Sequence, residues 1–254
     1  MPLSVVINTY NAEQRLRQVL DSVKDFDEVV ICDMESTNST LSIAREFNCK
    51  IVTFPKNGIN ICEPARNTAI QSASNKWVLV IDADELVTPQ LRDYLYRLTT
   101  DANHPAGLYL PRKNHMFGLF VKSSYPDYQL RFFLRDAVDW PPVIHSTPHV
   151  EGRVDRIPKE RQELALIHLA DDPETKYIAK LNTYSDNEAV RRAGKKVTLA
   201  KLIFHPFFRF FKSYFMKGGF RLGKYGFIMA CNDAIYKFLV LTKMVENADR
   251  NKQL

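Results

Sequence analysis

Apolar residues in the first 90 positions follow two alternating spacings. Four short runs are almost continuously apolar, and the segments between them carry apolar residues three or four positions apart. Continuous runs are typical of strands buried on both faces, and the wider spacing is typical of amphipathic helices. The runs that predict strands are LSVVIN (3–8), EVVIC (28–32), KIVTF (50–54) and WVLVI (77–81). This alternation predicts an α/β fold with a mostly parallel sheet flanked by helices.

The helices between these strands carry recognisable sequence signals. Leu16, Val19, Leu20 and Val23 lie at positions i, i+3, i+4 and i+7, which predicts one buried helical face. Pro89 stands where proline is favoured, in the first turn of a predicted helix.

Polar residues follow each predicted strand. In open parallel sheets, ligands bind beyond the carboxyl ends of the strands. The segments that reach this edge are 8–11, 33–38, 55–60 and 82–85. The sequence therefore predicts a binding site at the carboxyl edge of the sheet.

Three carboxylates, Asp82, Asp84 and Glu85, end the fourth strand. In an extended segment Asp82 and Asp84 share a face, so both can approach one cation such as Mg²⁺ or Mn²⁺. The alternative is a solvated strand–helix junction, with the acids near a helix N-terminus. His145 and His149 are candidates for a third ligand, and a structural or surface role is the alternative for each.

Two further segments at this edge have functional candidates. Asp33 ends the second strand and can accept a hydrogen bond from a base or a ribose, whereas the neighbouring hydroxyl residues also suit a helix cap. Arg66 and Asn67 stand in the first turn of a helix, where arginine is unfavourable unless a pyrophosphate lies nearby. The alternative for Arg66 is a surface arginine in a salt bridge.

The last quarter of the chain is strongly basic. Residues 191–254 hold 14 Lys/Arg against 3 Asp/Glu, and residues 1–190 hold 21 against 26. Within 204–220, eight of seventeen residues are Phe or Tyr. This composition predicts a helix at an anionic membrane surface. A helix that covers the core with snorkelling cations and an RNA-binding segment are the alternatives.

Other features exclude several classes of protein. The N-terminus has no basic segment followed by a long apolar segment, so no signal peptide is predicted, and no run of 18 uncharged apolar residues predicts a membrane span. Scattered cysteines without zinc spacing indicate reduced, intracellular thiols rather than a disulfide framework. The cysteines are Cys32, Cys49, Cys62 and Cys231.

Four segments in this order resemble the inverting glycosyltransferase family 2, and most closely a small bacterial branch that includes lipopolysaccharide-core glucosyltransferases. The sequences that carry the resemblance include VVINTYNAEQRLRQVL (5–20), EPARNTAIQSASNKWVLVIDADE (63–85), YPDYQLRFFLRD (125–136) and HPFFRFFKSYFMKGG (205–219). The resemblance implies a GT-A fold, a sugar nucleotide donor and a divalent cation, Mg²⁺ or Mn²⁺.

The resemblance also implies roles for single residues. Asp33 meets the uracil, Asp84 holds the metal, Asp82 lies at the ribose or in the metal shell, and His145 is a candidate metal ligand. The residues expected at the nucleotide sugar are Thr9, Asn11, Asp33, Arg66, Asn67, Asp82 and Arg131.

The chain departs from the family pattern at two places. Asn38 stands where the family has Asp, and Ser146 follows His145 where the branch has Glu. The catalytic base that takes the proton from the acceptor hydroxyl must then come from elsewhere in the acceptor half. The candidates are Glu151 and Asp127, with Asp139 as a weaker one.

These observations predict an inverting, metal-dependent enzyme that moves a sugar from a nucleoside diphosphate sugar, with UDP as the first choice of nucleotide. The acceptor is a hydroxyl of a membrane-associated glycan or glycolipid, such as lipopolysaccharide core. A catalytically impaired scaffold that binds sugar nucleotides at the membrane is the alternative. A nucleotidyltransferase ranks lower, because the loop after the first strand contains no glycine.

The predicted organisation follows from the same features. Residues 1–170 form the GT-A catalytic domain, with a nucleotide-sugar-binding half at 1–100 and an acceptor half at 101–170. Residues 171–254 form a helical, basic and aromatic extension, of which 204–254 contacts the anionic membrane. We expect a cytoplasmic protein on the inner face of the cytoplasmic membrane, and no nucleic-acid partner.

Overall fold

The computed structural model describes residues 1–59, 61–143, 146–170 and 174–250. The chain divides into two compact units, Met1–Ala170 and Asp171–Leu254. The first unit is α/β and the second is helical.

A seven-stranded sheet runs through the first unit. Its order is β12-β6-β9-β4-β1-β2-β3, and only β9 runs antiparallel to its neighbours. The four strands expected from the apolar runs lie side by side, which confirms the predicted parallel sheet. The strands are β1 (Leu3–Thr9), β2 (Glu28–Asp33), β3 (Lys50–Thr53), β4 (Trp77–Asp82), β6 (Gly107–Leu110), β9 (Gln129–Leu134) and β12 (Val154–Arg156).

Helices cover both faces of this sheet. One core contains Leu16, Leu20 and Leu91 against one sheet face, and another contains Ala69 and Ile70 against the opposite face. The helices of this unit are α1 (Glu13–Val23), α2 (Thr40–Glu46), α3 (Glu63–Gln71) and α4 (Pro89–Thr100). Because both faces are buried, the strands have the continuous apolar sequences seen above.

Two smaller sheets complete the first unit. One has the order β5-β13-β7-β8, and the other pairs β10 with β11. Their strands are β5 (Glu85–Leu86), β7 (Arg112–Met116), β8 (Leu119–Phe120), β10 (Val138–Asp139), β11 (His149–Val150) and β13 (Leu166–Leu169). Because β13 pairs with both β5 and β7, it places His168 between Glu85 and Asn114.

Over its described residues, 174–250, the second unit contains three α-helices, a π-helical turn (Lys212–Met216) and a 3₁₀ turn (Gly219–Leu222). The helices are α5 (Glu174–Arg191), α6 (Leu199–Phe211) and α7 (Gly223–Arg250). Ala189, Val240, Leu241 and Met244 form their buried cluster. Within the described part of the chain, no helix has both the length and the apolar character needed to cross a membrane.

Candidate functional site

Residues at the ends of β1 and β2 form the first part of the site. Thr9 and Ser36 both donate their hydroxyls to Asp33 Oδ1, at 2.8 Å and 2.6 Å, and the Ser36 N–H donates to Asp33 Oδ2 at 2.8 Å. Asn11 Oδ1 accepts from the Thr37 N–H at 2.9 Å, which ties the loop after β1 to the loop after β2. The predicted residues Thr9, Asn11 and Asp33 therefore lie together at the carboxyl edge.

Asp82, at the end of β4, lies between two buried arginines. Arg66 Nη2 donates to Asp82 Oδ1, and Arg131 Nη2 donates to Asp82 Oδ2 at 2.6 Å. Arg66 and Arg131 are 4% and 5% exposed. Burial alone would raise the pKa of the Asp82 carboxyl, but the charges of Arg131 and Arg66 outweigh it and hold that pKa well below its usual range. Arg66 therefore forms the salt bridge expected in the alternative hypothesis, but it is buried and not at the surface.

The same two arginines lie over the indole ring of Trp140. Their guanidinium carbons are 4.9 Å (Arg66) and 5.5 Å (Arg131) from the ring centroid, within cation–π range. Asn67 donates to the Trp140 carbonyl at 3.1 Å and accepts from the Trp140 N–H at 2.8 Å. Asn67 also donates to Asp139 Oδ1 at 2.8 Å. Its side chain thus fixes the segment that places Trp140 against the arginines.

Several buried polar atoms in this cluster have no hydrogen-bond partner within the described residues. They are Nε and Nη1 of Arg66, Nε of Arg131, Nε1 of Trp140, and both amide atoms of Asn8. Asn8 stands beside Asp82 in the register of β1 and β4. Buried polar groups normally have partners, so unpartnered guanidinium donors beside a ligand-binding edge indicate a place for an anion.

Asp84 occupies a different environment from Asp82. Its side chain is 41% exposed, and Asp84 Oδ2 is 3.5 Å from His168 Nε2. Burial would lower the pKa of His168, but the hydrogen bond and the charge of Asp84 raise it. The sequence does not identify His168 as a site residue, because a single histidine in the short apolar segment LIHL matches no binding or catalytic motif.

A hydrogen-bond chain orients His168. Its Nδ1 is 2.7 Å from Asn114 Oδ1, and Asn114 Nδ2 donates to Asp127 Oδ2 at 2.8 Å. Because the Asn114 amide nitrogen faces a carboxylate, its oxygen must face the imidazole, and Nδ1 of His168 is the donor. The other ring nitrogen, Nε2, takes no part in the hydrogen bond to Asn114 and faces Asp84.

Asp84 and His168 are the side chains that could contribute ligands to a divalent cation at this edge. Among the residues with described positions, no group of three or more His, Cys, Asp or Glu side chains is arranged to hold a metal ion. Mg²⁺ and Mn²⁺ commonly take one or two protein ligands, with phosphate oxygens and waters in the other positions. Both oxygens of Asp82 already accept from arginine. His145, the predicted further ligand, lies outside the described residues.

A third arginine, Arg112, forms salt bridges with two further carboxylates, Glu85 and Asp127. Arg112 donates to Glu85 Oε1 at 2.8 Å and, through Nη2, to Asp127 Oδ2 at 2.7 Å. Glu85 is fully buried, and its Oε2 accepts from the Asp82 N–H at 2.9 Å. Arg131, the partner of Asp82, is also 4.0 Å from Glu85 Oε1, so these two carboxylates share one arginine. Glu85 fixes the turn that joins Asp82 to Asp84.

Asp127 is near the cluster, whereas Glu151 is not. Burial would raise the pKa of Asp127, but hydrogen bonds from Asn114 and the charge of Arg112 lower it. Glu151 is exposed and its N–H donates to the Ala137 carbonyl at 2.8 Å.

The sheet register shows where Glu151 lies. The next residue, Gly152, lies against Ala106, which comes just before β6. A Cβ atom added to Gly152 would be 3.0 Å from the Cβ atom of Ala106. The first residue of β6 pairs with Phe133, and the neighbouring Leu134 pairs with Trp77, the first residue of β4. Glu151 is therefore at the amino end of β4, opposite to Asp82.

Comparisons with known proteins agree with this architecture. The family model described as glycosyl transferase family 2 matches residues 4–148. A Rickettsia conorii protein described as an uncharacterized glycosyltransferase is 27% identical over 272 residues, covering 99% of this chain and 93% of the relative. The lipopolysaccharide core biosynthesis glycosyltransferase LpsC of Rhizobium meliloti is 27% identical, covering 97% and 93%.

Solved structures show the same fold. S. aureus TarS, residues 1–349, aligns with a TM-score of 0.52 at 18% identity, covering 99% of this chain and 92% of that chain. The same protein in complex with UDP aligns with a TM-score of 0.51 at 20% identity. The predicted GT-A fold, with its helical C-terminal extension, is confirmed. Because the family model matches more than half of the chain, the protein belongs to glycosyl transferase family 2 and is a glycosyltransferase.

Proposed function

We propose that this glycosyltransferase moves a sugar, with inversion, from a nucleoside diphosphate sugar to a hydroxyl group of a membrane-associated glycan or glycolipid. The observation that carries the proposal is the pair of buried arginines at Asp82, whose unpartnered nitrogens lie beside the carboxyl edge. Guanidinium groups suit a diphosphate, since they present several donors in a fixed plane. This group leaves with the nucleotide when the sugar is transferred.

The nucleotide is proposed to be uridine diphosphate. Asp33 is held rigidly by Thr9 and Ser36 at the end of β2, so its carboxylate can accept from a ring N–H. TarS, which shares the fold, has been solved with UDP. Both observations support uridine, and Asn11 and Asn67 are proposed as further residues at the nucleotide sugar.

Asp84 and His168 are proposed to hold Mg²⁺ or Mn²⁺. A cation bound there would neutralise charge on the departing diphosphate. Asn114 and Asp127 keep Nε2 of His168 directed at Asp84. Asp82, already neutralised by two arginines, fits a contact with the ribose or a position beside the metal better than direct coordination.

The proton acceptor is proposed to lie in the acceptor half, with Asp127 and Glu151 as the candidates from the sequence. Position favours Asp127, which lies beside Asn114 and Arg112. Its lowered pKa makes it a weaker base, so positioning of His168 and Arg112 is the role that its contacts support.

Replacing Glu151 with glutamine is expected to leave the transfer rate within about twofold of wild type, because the side chain is exposed and distant from the carboxyl edge. Initial rates at saturating donor measure this. Glu160→Gln, another exposed change in the first unit, is the matched control. A rate lowered a hundredfold by Glu151→Gln alone would restore Glu151 as the base.

Donor binding tests the proposal as a whole. UDP with Mn²⁺, at a concentration 100-fold above its dissociation constant, is expected to raise Tm by about 5–10 °C. UDP without metal should give a smaller shift, and Asp33→Asn should reduce the preference for UDP over CDP and ADP. If no nucleoside diphosphate stabilised the protein in the presence of Mn²⁺, the donor site would be refuted. Stabilisation without transfer or hydrolysis would favour the scaffold alternative.

The basic extension supports the proposed acceptor and location. Residues 191–254 carry a net charge of +11, which suits an anionic surface. The R. meliloti relative is named for lipopolysaccharide core biosynthesis, and this supports a glycolipid acceptor. We infer a cytoplasmic enzyme that is peripheral on the inner face of the cytoplasmic membrane.

A further inference from the structure

The second unit presents a large apolar surface on one helix. No residue of α6 is buried, and six of its apolar side chains are 43% to 72% exposed. We call these six the apolar face of α6: Leu199, Ile203, Phe204, Phe207, Phe208 and Phe211. The π-helical turn extends this surface with Phe215 and Met216, which are 50% and 65% exposed. Contiguous apolar patches of this kind are rare on monomers and mark interaction sites.

In most amphipathic helices of globular proteins the apolar face packs on the core, whereas in α6 it faces away from the core. At about 100° per residue, the apolar face covers roughly half of the helix circumference. On the opposite side, Leu202 packs against the buried cluster of the unit, and Arg209 lies 3.8 Å from Asp233 of α7. The large apolar side chains of α6 therefore point away from the core of their own unit.

The charges around the apolar face have one sign. Residues 191–232 contain ten Lys/Arg and no Asp or Glu. Lys201 on α6 is exposed, as are Lys217, Arg221 and Lys224 in the segment that follows. An apolar helical face bordered by cations matches the interface of an anionic bilayer, where acyl chains take the apolar side chains and headgroups take the cations.

We infer that the apolar face of α6 inserts into an anionic lipid surface, with the helix axis in the plane of the membrane. The 13 residues of α6 span about 20 Å, which suits a helix that lies in the interface. The inference rests on the proposed function at one point only. A lipid surface is the partner that would keep the enzyme near a glycolipid acceptor.

Other occupants fit the surface less well. A second copy of the chain would bring two sets of the same cations together, which costs free energy. A nucleic acid would use the cations and stack on aromatic rings, but it would leave Leu199 and Ile203 without a partner.

Vesicle sedimentation of the full chain tests the inference. Vesicles of phosphatidylcholine with phosphatidylglycerol are expected to bind the protein, and pure phosphatidylcholine much less. Changing Phe204, Phe207 and Phe208 together to serine should weaken binding at least about tenfold, because all three are exposed and their burial in lipid is lost. Tyr184→Ser with Val190→Ser, two exposed apolar positions on α5, is the matched control and should change binding less than about twofold.

A depth measurement separates insertion from adsorption by charge. The two tryptophans of the chain, Trp77 and Trp140, are both in the first unit. Phe207→Trp should therefore add an emission that shifts to the blue on anionic vesicles and is quenched by lipids brominated in the acyl chains. Tyr184→Trp should add an emission without this quenching.

Three results would overturn the inference: vesicle binding unchanged in the triple variant, no quenching of Phe207→Trp, or a dimer that requires the same three phenylalanines. RNA binding that is lost in the triple variant, without vesicle binding, would also overturn it. The stabilisation by UDP, measured on the same proteins without lipid, should remain in every variant. It separates failure of the lipid surface from failure of the donor site.

Discussion

Replacing Asp84 with asparagine is expected to lower the rate of sugar transfer by about 100- to 1,000-fold. Among the described residues Asp84, unlike Asp82 and Glu85, has no arginine within salt-bridge distance, and its carboxylate faces His168 across 3.5 Å. Asparagine keeps the shape of the side chain but removes the charge that would hold a divalent cation. Initial rates at saturating UDP-sugar and a series of Mn²⁺ concentrations measure the effect.

Binding of Mn²⁺ in the presence of UDP gives a second readout that does not depend on catalysis. Asp84→Asn should weaken it, and His168→Gln should weaken it as well. Asp93→Asn, an exposed change on α4, is the matched control and should behave like wild type. If the Asp84→Asn protein bound Mn²⁺ and transferred sugar as wild type does, the assignment of the metal to Asp84 would be wrong.

Replacing Arg112 with methionine is expected to destabilise the first unit by about 3–5 kcal/mol. The change removes the hydrogen-bonded cation of the fully buried Glu85, which keeps only Arg131 at 4.0 Å. It also removes two hydrogen bonds from Asp127. Urea unfolding followed by the fluorescence of Trp77 and Trp140 reports on this unit alone, since both tryptophans belong to it.

Arg17→Met is the matched control for Arg112→Met. Arg17 pairs with Glu46 at 2.6 Å, but both side chains are more than half exposed, so its loss should cost less than about 1 kcal/mol. A further variant that combines Arg112→Met with Glu85→Gln should recover part of the lost stability, because no buried charge is then unpaired. Equal losses for Arg112→Met and Arg17→Met would show that the buried network does not stabilise the fold.

The hydrophobic pattern was sufficient to predict β1 to β4 and the edge at which Thr9, Asp33 and Asp82 meet. Strands that are covered on both faces must be continuously apolar, and the carboxyl ends of neighbouring parallel strands must be adjacent. Local sequence thus determines both the elements and the edge of the sheet.

The pairing partners of the site residues could not be predicted in the same way. His168 reaches Asp84 only because β13 pairs with β5, and the residues in question are far apart in the chain. Arg112 and Glu85 depend on the same small sheet. Glu151 is a candidate base because it is the nearest carboxylate to Ser146, where the branch has Glu, and only the register of β6 and β9 indicates that it lies at the other end of the sheet.

The pairing of β13 also sets the shortest fragment that can contain the Asp84–His168 pair. The match to the family ends at residue 148, whereas β13 covers residues 166–169. A fragment trimmed to the family match would keep Asp84 but lose His168 and the strand that joins β5 to β7. During synthesis, likewise, this pair cannot form before residue 169 has left the ribosome, so assembly of the site must wait for the last strand of the unit.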